Sequence, residues 1–141
     1  LKKTNLGSRI DIIIHLASET SNYEKVIKTN LNISKLIIDV AIFHKVKKFI
    51  YLSSASIYAN YGNTKLINEN STKQPKTYYG KSKIISQKLI IEECIKHKIN
   101  YVVLIPTNII NTDASPPHYL LNFIKSISDN RFIFFGKKSF Y

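Results

Sequence analysis

Three short apolar runs divide the chain: IDIIIHLA at residues 10–17, KKFIYLSS at 47–54 and NYVVLIPT at 100–107. Each has a block of large apolar residues, mostly Ile and Val in the first and third and Phe, Ile, Tyr and Leu in the second, with little polar alternation, the pattern of strands in a parallel sheet covered on both faces. Between the first two, Val26, Ile27, Leu31, Ile37 and Ala41 recur near helical spacing. Between the second and third, a polar loop over about 55–77 leads into a segment from about Tyr79 to Lys98, whose Ile84, Ile91 and Ile95 predict one side of a helix. The order strand, helix, strand, loop plus helix, strand predicts an α/β protein with right-handed crossovers between parallel strands. Further on, NTDASPP reads as a loop, HYLLNFIKSISD as a helix starting near Pro117 and RFIFFG as a short strand.

In open α/β sheets ligands bind beyond the carboxyl ends of the strands. There the chain places HLAS (15–18), SSAS (53–56) and PTN (106–108), so these polar clusters should line one crevice. The long loop after Ser56 opens from the same edge, where long loops usually carry function.

Composition changes this picture little. The 141 residues, 44% hydrophobic, suffice for a real core. The +12 net charge comes from 19 Lys and only 2 Arg spread along the chain, beside 24 Ile and 13 Asn. That pattern reads as a coding bias toward A and T, and the scarcity of Arg argues against nucleic acid as the partner. No apolar run is long enough for a membrane span, so neither a membrane nor a secretory route is expected and a cytoplasmic location follows. Cys94 is the single cysteine, and His15, His44, His97 and His118 are too dispersed for a zinc site, so no metal is expected. His15, inside an apolar run, reads as a core histidine. The absence of methionine suggests an internal segment of something longer.

The chemistry centres on YYGKSK. Tyr and Lys four positions apart occur twice, at Tyr61/Lys65 and Tyr79/Lys83, where chance alone gives about one such pair. Tyr61 sits in the turn-forming YGN and should not share a helical face with Lys65. Tyr79 opens a helix, where a four-residue step stacks two side chains on one face. An ammonium so placed favours the phenolate electrostatically and makes Tyr79 a candidate general acid or base. Ser54, at the mouth of the second strand, could hydrogen-bond the same substrate oxygen.

DIIIHLAS, HKVKKFIYLSSASIYA, YYGKSK and LIPTNII stand in the order and at about the spacings of the extended short-chain dehydrogenase/reductases, and the chain most resembles their NAD-dependent epimerase/dehydratase branch, the nucleotide-sugar epimerases. The resemblance runs from residue 11 to about 136. It implies a partial Rossmann-like, doubly wound parallel sheet lacking the N-terminal dinucleotide-binding strands and most of the C-terminal substrate domain. Residues 1–110 would be the catalytic part of the NAD-binding domain and 111–141 the start of the substrate-binding region. It implies Tyr79 as catalytic base, Lys83 as the residue that binds the nicotinamide ribose and tunes Tyr79, and Ser54 as the hydroxyl partner. Leu16, Ala17, Ser18, Asn30, Ser53 and Pro106 would join Tyr79 and Lys83 around NAD, with NADP not excluded, and Ser54, Ser56 and Asn108 would meet the nucleotide sugar. In the family's mechanism the base takes a proton from a sugar hydroxyl while the carbon gives hydride to NAD, and the keto sugar turns over and is reduced on its other face. A homodimer is implied for the full-length protein, with turnover not expected of the chain alone.

The departures are specific. The dehydratase branch places an acidic pair after its active-site hydroxyl residue, and this chain has Ala55 and Ser56. Ile33 and Lys45 stand where glycines are usual, and Ile105 replaces a common arginine. Because a non-glycine in a left-handed helix end costs about 1 kcal/mol, the Lys45 end is expected to close differently. The four glycines, Gly7, Gly62, Gly80 and Gly136, are too far apart to build a phosphate-binding turn. The rival to an enzyme is a nonenzymatic NAD(P)-binding regulator of the same fold, or an inactive fragment, and in such regulators the Tyr and Lys are typically lost.

Overall fold

The computed structural model describes residues 9–58, 66–107, 109 and 118–129. They form strands β1 (Ile12–His15), β2 (Lys48–Leu52) and β3 (Asn100–Leu104), and helices α1 (Val26–Phe43), α2 (Tyr78–Lys96) and α3 (His118–Ser128). The strands are parallel in the order β1-β2-β3, with Ile14 opposite Ile50 and Ile50 opposite Val102. Each apolar run contains its strand, and this is a Rossmann-like α/β fragment. The chain divides into two compact units, residues 1–107 and 108–141, the second containing α3. Asn108, the Tyr61/Lys65 pair and RFIFFG lie outside the described residues.

With adjacent parallel strands and right-handed crossovers, α1 and α2 share one face of the sheet. Their core joins Ile38 and Ala41 of α1, Phe49 and Tyr51 of β2, and Ile90 and Cys94 of α2, closed below by Val46 and Ile99. Among the described residues the expected cover on both faces is absent: on the opposite face Ile12, Ile14 and Leu104 are about half exposed.

In α1 the predicted Val26 and Ala41 are buried and Ile37 packs against the core, while Ile27 and Leu31 are only partly covered; in α2 the buried face is not the one its isoleucines predict. In α1 the buried line is Val26, Asn30, Ser34, Ile38 and Ala41. In α2 it is Gly80, Ser82, Lys83, Ser86, Gln87, Ile90 and Cys94, while Ile95 is 63% exposed and Ile84 and Ile91 are partly covered. The physical reason is close packing: small hydroxyl and amide side chains let α1 and α2 approach until Asn30 Nδ2 donates to Ser82 Oγ at 2.9 Å.

The helix ends also correct an expectation. Lys45 takes φ 52° and Lys98 φ 56°, the left-handed conformation that glycine usually supplies. Lys45 N–H donates to the Ile42 carbonyl and Val46 N–H to the Ala41 carbonyl, and Lys98 and Ile99 repeat the pattern onto Ile95 and Cys94. The end at Lys45 therefore closes as a glycine end would, with the strain carried by lysine.

Candidate active site

Helix α2 starts where the site needs it because Thr77 is a good cap. Its backbone is extended, and its hydroxyl accepts from the Gly80 N–H at 3.0 Å, satisfying a donor that the first turn leaves free. Tyr79 then sits in the first turn and Lys83 one turn later. The two side chains come together as predicted, with Lys83 Nζ 5.6 Å from the centroid of the Tyr79 ring.

Lys83 is 2% exposed. Its ammonium donates to the Leu52 carbonyl at 2.9 Å and lies 5.1 Å from the centroid of the Tyr51 ring. Burial lowers its pKa to about 8, so it keeps its charge at neutral pH. A cation held this way over aromatic faces is stabilised by their quadrupoles in place of the water it has lost.

Ser54 and Ser56 belong to the 3₁₀ turn over Ala55–Tyr58 and its approach. Ser54 Oγ accepts from the Ser56 N–H at 3.2 Å and from the Ser56 hydroxyl at 3.0 Å, which leaves its own proton available. This turn abuts the first turn of α2: a Cβ built on Gly80 would lie 2.7 Å from the Ser56 carbonyl oxygen and 3.0 Å from Pro75 Cβ. Absence of a side chain at Gly80 thus sets how near the serines stand to the helix that carries Tyr79. Pro106 accepts at 3.0 Å from the Ala55 N–H, tying the end of β3 to the same turn. Ser53, buried, donates to Gln87 Oε1 at 3.0 Å, fixing the end of β2 against α2.

On the other flank, Asn30 makes three hydrogen bonds. It accepts from Glu19 N–H at 2.7 Å, and its amide group donates to the Glu19 carbonyl at 3.1 Å and to Ser82 Oγ at 2.9 Å. Ser82 donates in turn to the Tyr79 carbonyl at 2.7 Å. Asn30 therefore joins the loop after β1 to the turn that carries Tyr79, and both its donors are spent within the protein. Glu19 organises that loop further. Its carboxylate accepts from Ser21 Oγ and from the N–H groups of Thr20, Ser21 and Asn22, bonds that pull its pKa down to about 2. Leu16 and Ala17 are exposed beside this loop, and the Ser18 hydroxyl is buried with no hydrogen-bond partner among the described residues.

His15, Tyr51, Thr77, Ser82 and Gln87 also support the site, beyond the residues the sequence points to. Of these, only Thr77, a capping residue three before Gly80, carried a readable local signal. A cavity of about 240 Å³ at the carboxyl edge is lined by Ala55, Tyr58, Glu69, Ile105 and Thr107 among others. The larger groove, about 730 Å³ and bordered by Lys45, Lys47, His97 and Lys98, lies at the amino ends of the strands, away from Tyr79. Size does not decide between them; the carboxyl edge is where such sheets bind ligands. Among the described residues no group of three His, Cys, Asp or Glu side chains could hold a metal ion.

Fold and site together define a Rossmann-like α/β protein with a tyrosine and a buried lysine at the carboxyl edge of its sheet. The chain belongs to the NAD dependent epimerase/dehydratase family, whose model matches residues 2–139. Human dTDP-D-glucose 4,6-dehydratase is 26% identical over 129 residues, covering 87% of this chain and 37% of the relative. Two similar solved structures are the UDP-glucuronic acid 4-epimerase of Bacillus cereus in complex with NAD and the Bordetella bronchiseptica enzyme WbmG in complex with NAD and UDP. Each has a TM-score of 0.71 and 20% identity; they cover 86% and 88% of this chain, and 40% and 39% of their own. The chain thus spans well under half the length of these relatives.

Proposed function

We propose that the chain is the proton-transfer centre of an NAD-dependent nucleotide-sugar epimerase, or of an oxidoreductase built on the same machinery. The observation that carries this reading is the buried, charged Lys83 held beside Tyr79 at the carboxyl edge of the sheet. Tyr79 takes a proton from a sugar hydroxyl and returns it, and the Lys83 ammonium stabilises the phenolate in between. Ser54, whose lone pairs are engaged by Ser56, donates its hydroxyl proton to the same sugar oxygen and orients it.

The residues present fit the nicotinamide-ribose end of a dinucleotide. Lys83 spends one N–H on Leu52 and has others for a ribose, and the buried Ser18 hydroxyl lacks a partner among the described residues. Leu16, Ala17, Ser18, Pro106 and Lys83 would hold the cofactor, with Asn30 and Ser53 shaping its site through Glu19, Ser82 and Gln87. NAD(P), when bound, supplies reversible hydride transfer. Ser54, Ser56 and Asn108 serve the nucleotide sugar, and residues 1–110 act as the catalytic part with 111–141 opening the substrate-binding region. Epimerisation is favoured over dehydration because Ala55 and Ser56 bring no carboxyl group to the position next to Ser54.

No described helix is long and apolar enough to cross a membrane. We place the full-length protein in the cytoplasm as a homodimer. The test is turnover of a panel of UDP-, GDP- and dTDP-sugars by the full-length protein and its Tyr79→Phe variant. Turnover should fall by roughly 10² to 10⁴ with cofactor binding retained. Equal turnover by the two proteins would remove Tyr79 from the mechanism.

A further inference from the structure

Lys83 is a buried cation with no counter-ion among the described residues. The ion pairs among the described residues, Asp11 with Arg9 and Lys47, Lys88 with Glu92, and Glu93 with Lys96 and His97, are all at the surface and none includes it. What surrounds the ammonium instead is one carbonyl and two aromatic rings. Tyr51 and Leu52 are consecutive residues of β2, so a single stretch of strand presents both the ring 5.1 Å from Nζ and the carbonyl that accepts from it at 2.9 Å. Tyr51 is itself 1% exposed, so its ring stays where the strand puts it.

The layer beyond Tyr51 is kept neutral. His15 of β1 stands opposite Tyr51 in the strand register, its ring centroid 5.4 Å from the Tyr51 ring, and its Nε2 is hydrogen bonded to Ser34 Oγ at 3.0 Å. Burial first, and the charge of Lys83 second, lower the His15 pKa to about 4, so the imidazole carries no competing charge at neutral pH. Helix α1 adds only the uncharged Asn30 and Ser34 to this layer, and α2 adds Tyr79 itself. Among the described residues Lys83 is therefore the single positive charge in an aromatic and hydroxyl setting.

We propose that Tyr51 is a positioning residue whose ring face, with the Leu52 carbonyl, seats the Lys83 ammonium against Tyr79. This rests on the reading of Tyr79 and Lys83 as the proton-transfer pair. A residue that merely fills the core could be replaced by any apolar group of similar size, whereas a π seat requires a ring. Phenylalanine keeps the quadrupole and leucine removes it.

The test uses the full-length protein with labelled lysine side chains, Lys83 being assigned by the resonance that Lys83→Arg removes. In the wild-type chain the Lys83 ε-methylene protons should be shifted upfield by ring current. Tyr51→Phe should leave the Lys83 titration midpoint within about 0.3 pH unit, and Tyr51→Leu should lower it by about one unit, because the charged form loses its π partner. In the full-length protein the alkaline limb of the turnover profile should move by the same amount in Tyr51→Leu and stay in place in Tyr51→Phe.

Equal midpoints in all three proteins would overturn the positioning role whether or not the enzyme turns over. Should Tyr51→Leu fail to fold, Lys83 ε-proton shifts at the ordinary exposed-lysine position in the wild type would overturn it alone. A midpoint that follows Tyr51 in a protein inactive on every nucleotide sugar would sink the proposed function and leave the seat standing.

Discussion

The two faces of the sheet differ in what they hold: the covered face adds a layer of buried polar side chains to its apolar core, and the open face is apolar and exposed. Under the helices lie His15, Asn30, Ser34, Ser53, Ser82, Lys83, Ser86 and Gln87, all buried and polar; on the open face lie Ile12, Ile14, Val102 and Leu104, all apolar and 39% to 59% exposed. Burying polar groups costs free energy unless each is hydrogen bonded, and most of those named are bonded to one another or to backbone. A chain selected only for a stable core would extend the cluster of Ile38, Phe49, Ile90 and Ile99 over these polar positions too. The polar choice makes sense where side chains must hold one geometry, because hydrogen bonds fix orientation in a way that dispersion contacts do not. The covered face is thus organised around the position of Tyr79, while the open face has the apolar character of a sheet surface that another layer covers.

The contrast can be broken at its centre first. Lys83→Met removes the one buried charge on the polar face, and turnover by the full-length protein should fall by roughly 10² to 10⁴, since the phenolate of Tyr79 loses its electrostatic partner. A variant that retained wild-type turnover would mean that this ammonium is ornamental.

Next in size is Gly80→Ala. A Cβ 2.7 Å from the Ser56 carbonyl forces the 3₁₀ turn and α2 apart, an overpacking cost of about 1 to 3 kcal/mol that denaturant unfolding should register. The same substitution should lower turnover, because Ser54 moves with Ser56. Unchanged stability would show that the turn yields freely and does not fix Ser54. Asn30→Ala should cost a similar or slightly smaller amount, about 1 to 3 kcal/mol, by removing the side-chain partner of the Glu19 N–H and of the Glu19 carbonyl, while Ser82 keeps its bond to the Tyr79 carbonyl.

Acid sharpens the comparison through His15. The folded chain holds this histidine neutral down to about pH 4, whereas the unfolded chain protonates it near 6.5. The unfolded state therefore binds the extra proton as pH falls, and the contribution of neutral His15, complete above 6.5, is lost progressively toward 4. Between pH 7 and 5 the loss is on the order of 2 kcal/mol. Urea midpoints at the two pH values should show it, and His15→Gln should reduce the difference. The smallest effect belongs to the amino edge: Lys45→Gly and Lys98→Gly should each stabilise by about 1 kcal/mol, since glycine takes positive φ without strain.

The strands were readable because a buried β-strand must be apolar, and the Ile and Val runs had no other use. Tyr79 and Lys83 were readable because helical spacing turns a four-residue interval into contact, and because YYGKSK stood where a helix begins. The inward face of α2 departs from its hydrophobic periodicity for a definite reason. Hydrophobic periodicity finds the side that oil would choose, and α2 buries Ser82, Lys83, Ser86 and Gln87 while it exposes Ile95. Nothing local in the sequence distinguishes Ser82 from a surface serine; its partners, Asn30 and the Tyr79 carbonyl, come from tertiary approach. Tyr51 was hidden likewise, since a strand tyrosine reads as core until the lysine beside it is seen.

The account depends most on Tyr79 and Lys83 acting as one unit. A double-mutant cycle on turnover by the full-length protein measures that directly, comparing Tyr79→Phe, Lys83→Met and the two combined. If the ammonium works by stabilising the phenolate, the double variant should be no slower than Tyr79→Phe alone, within about threefold. Losses that multiply would mean that the two side chains act independently, and the proton-transfer pair would have to be abandoned.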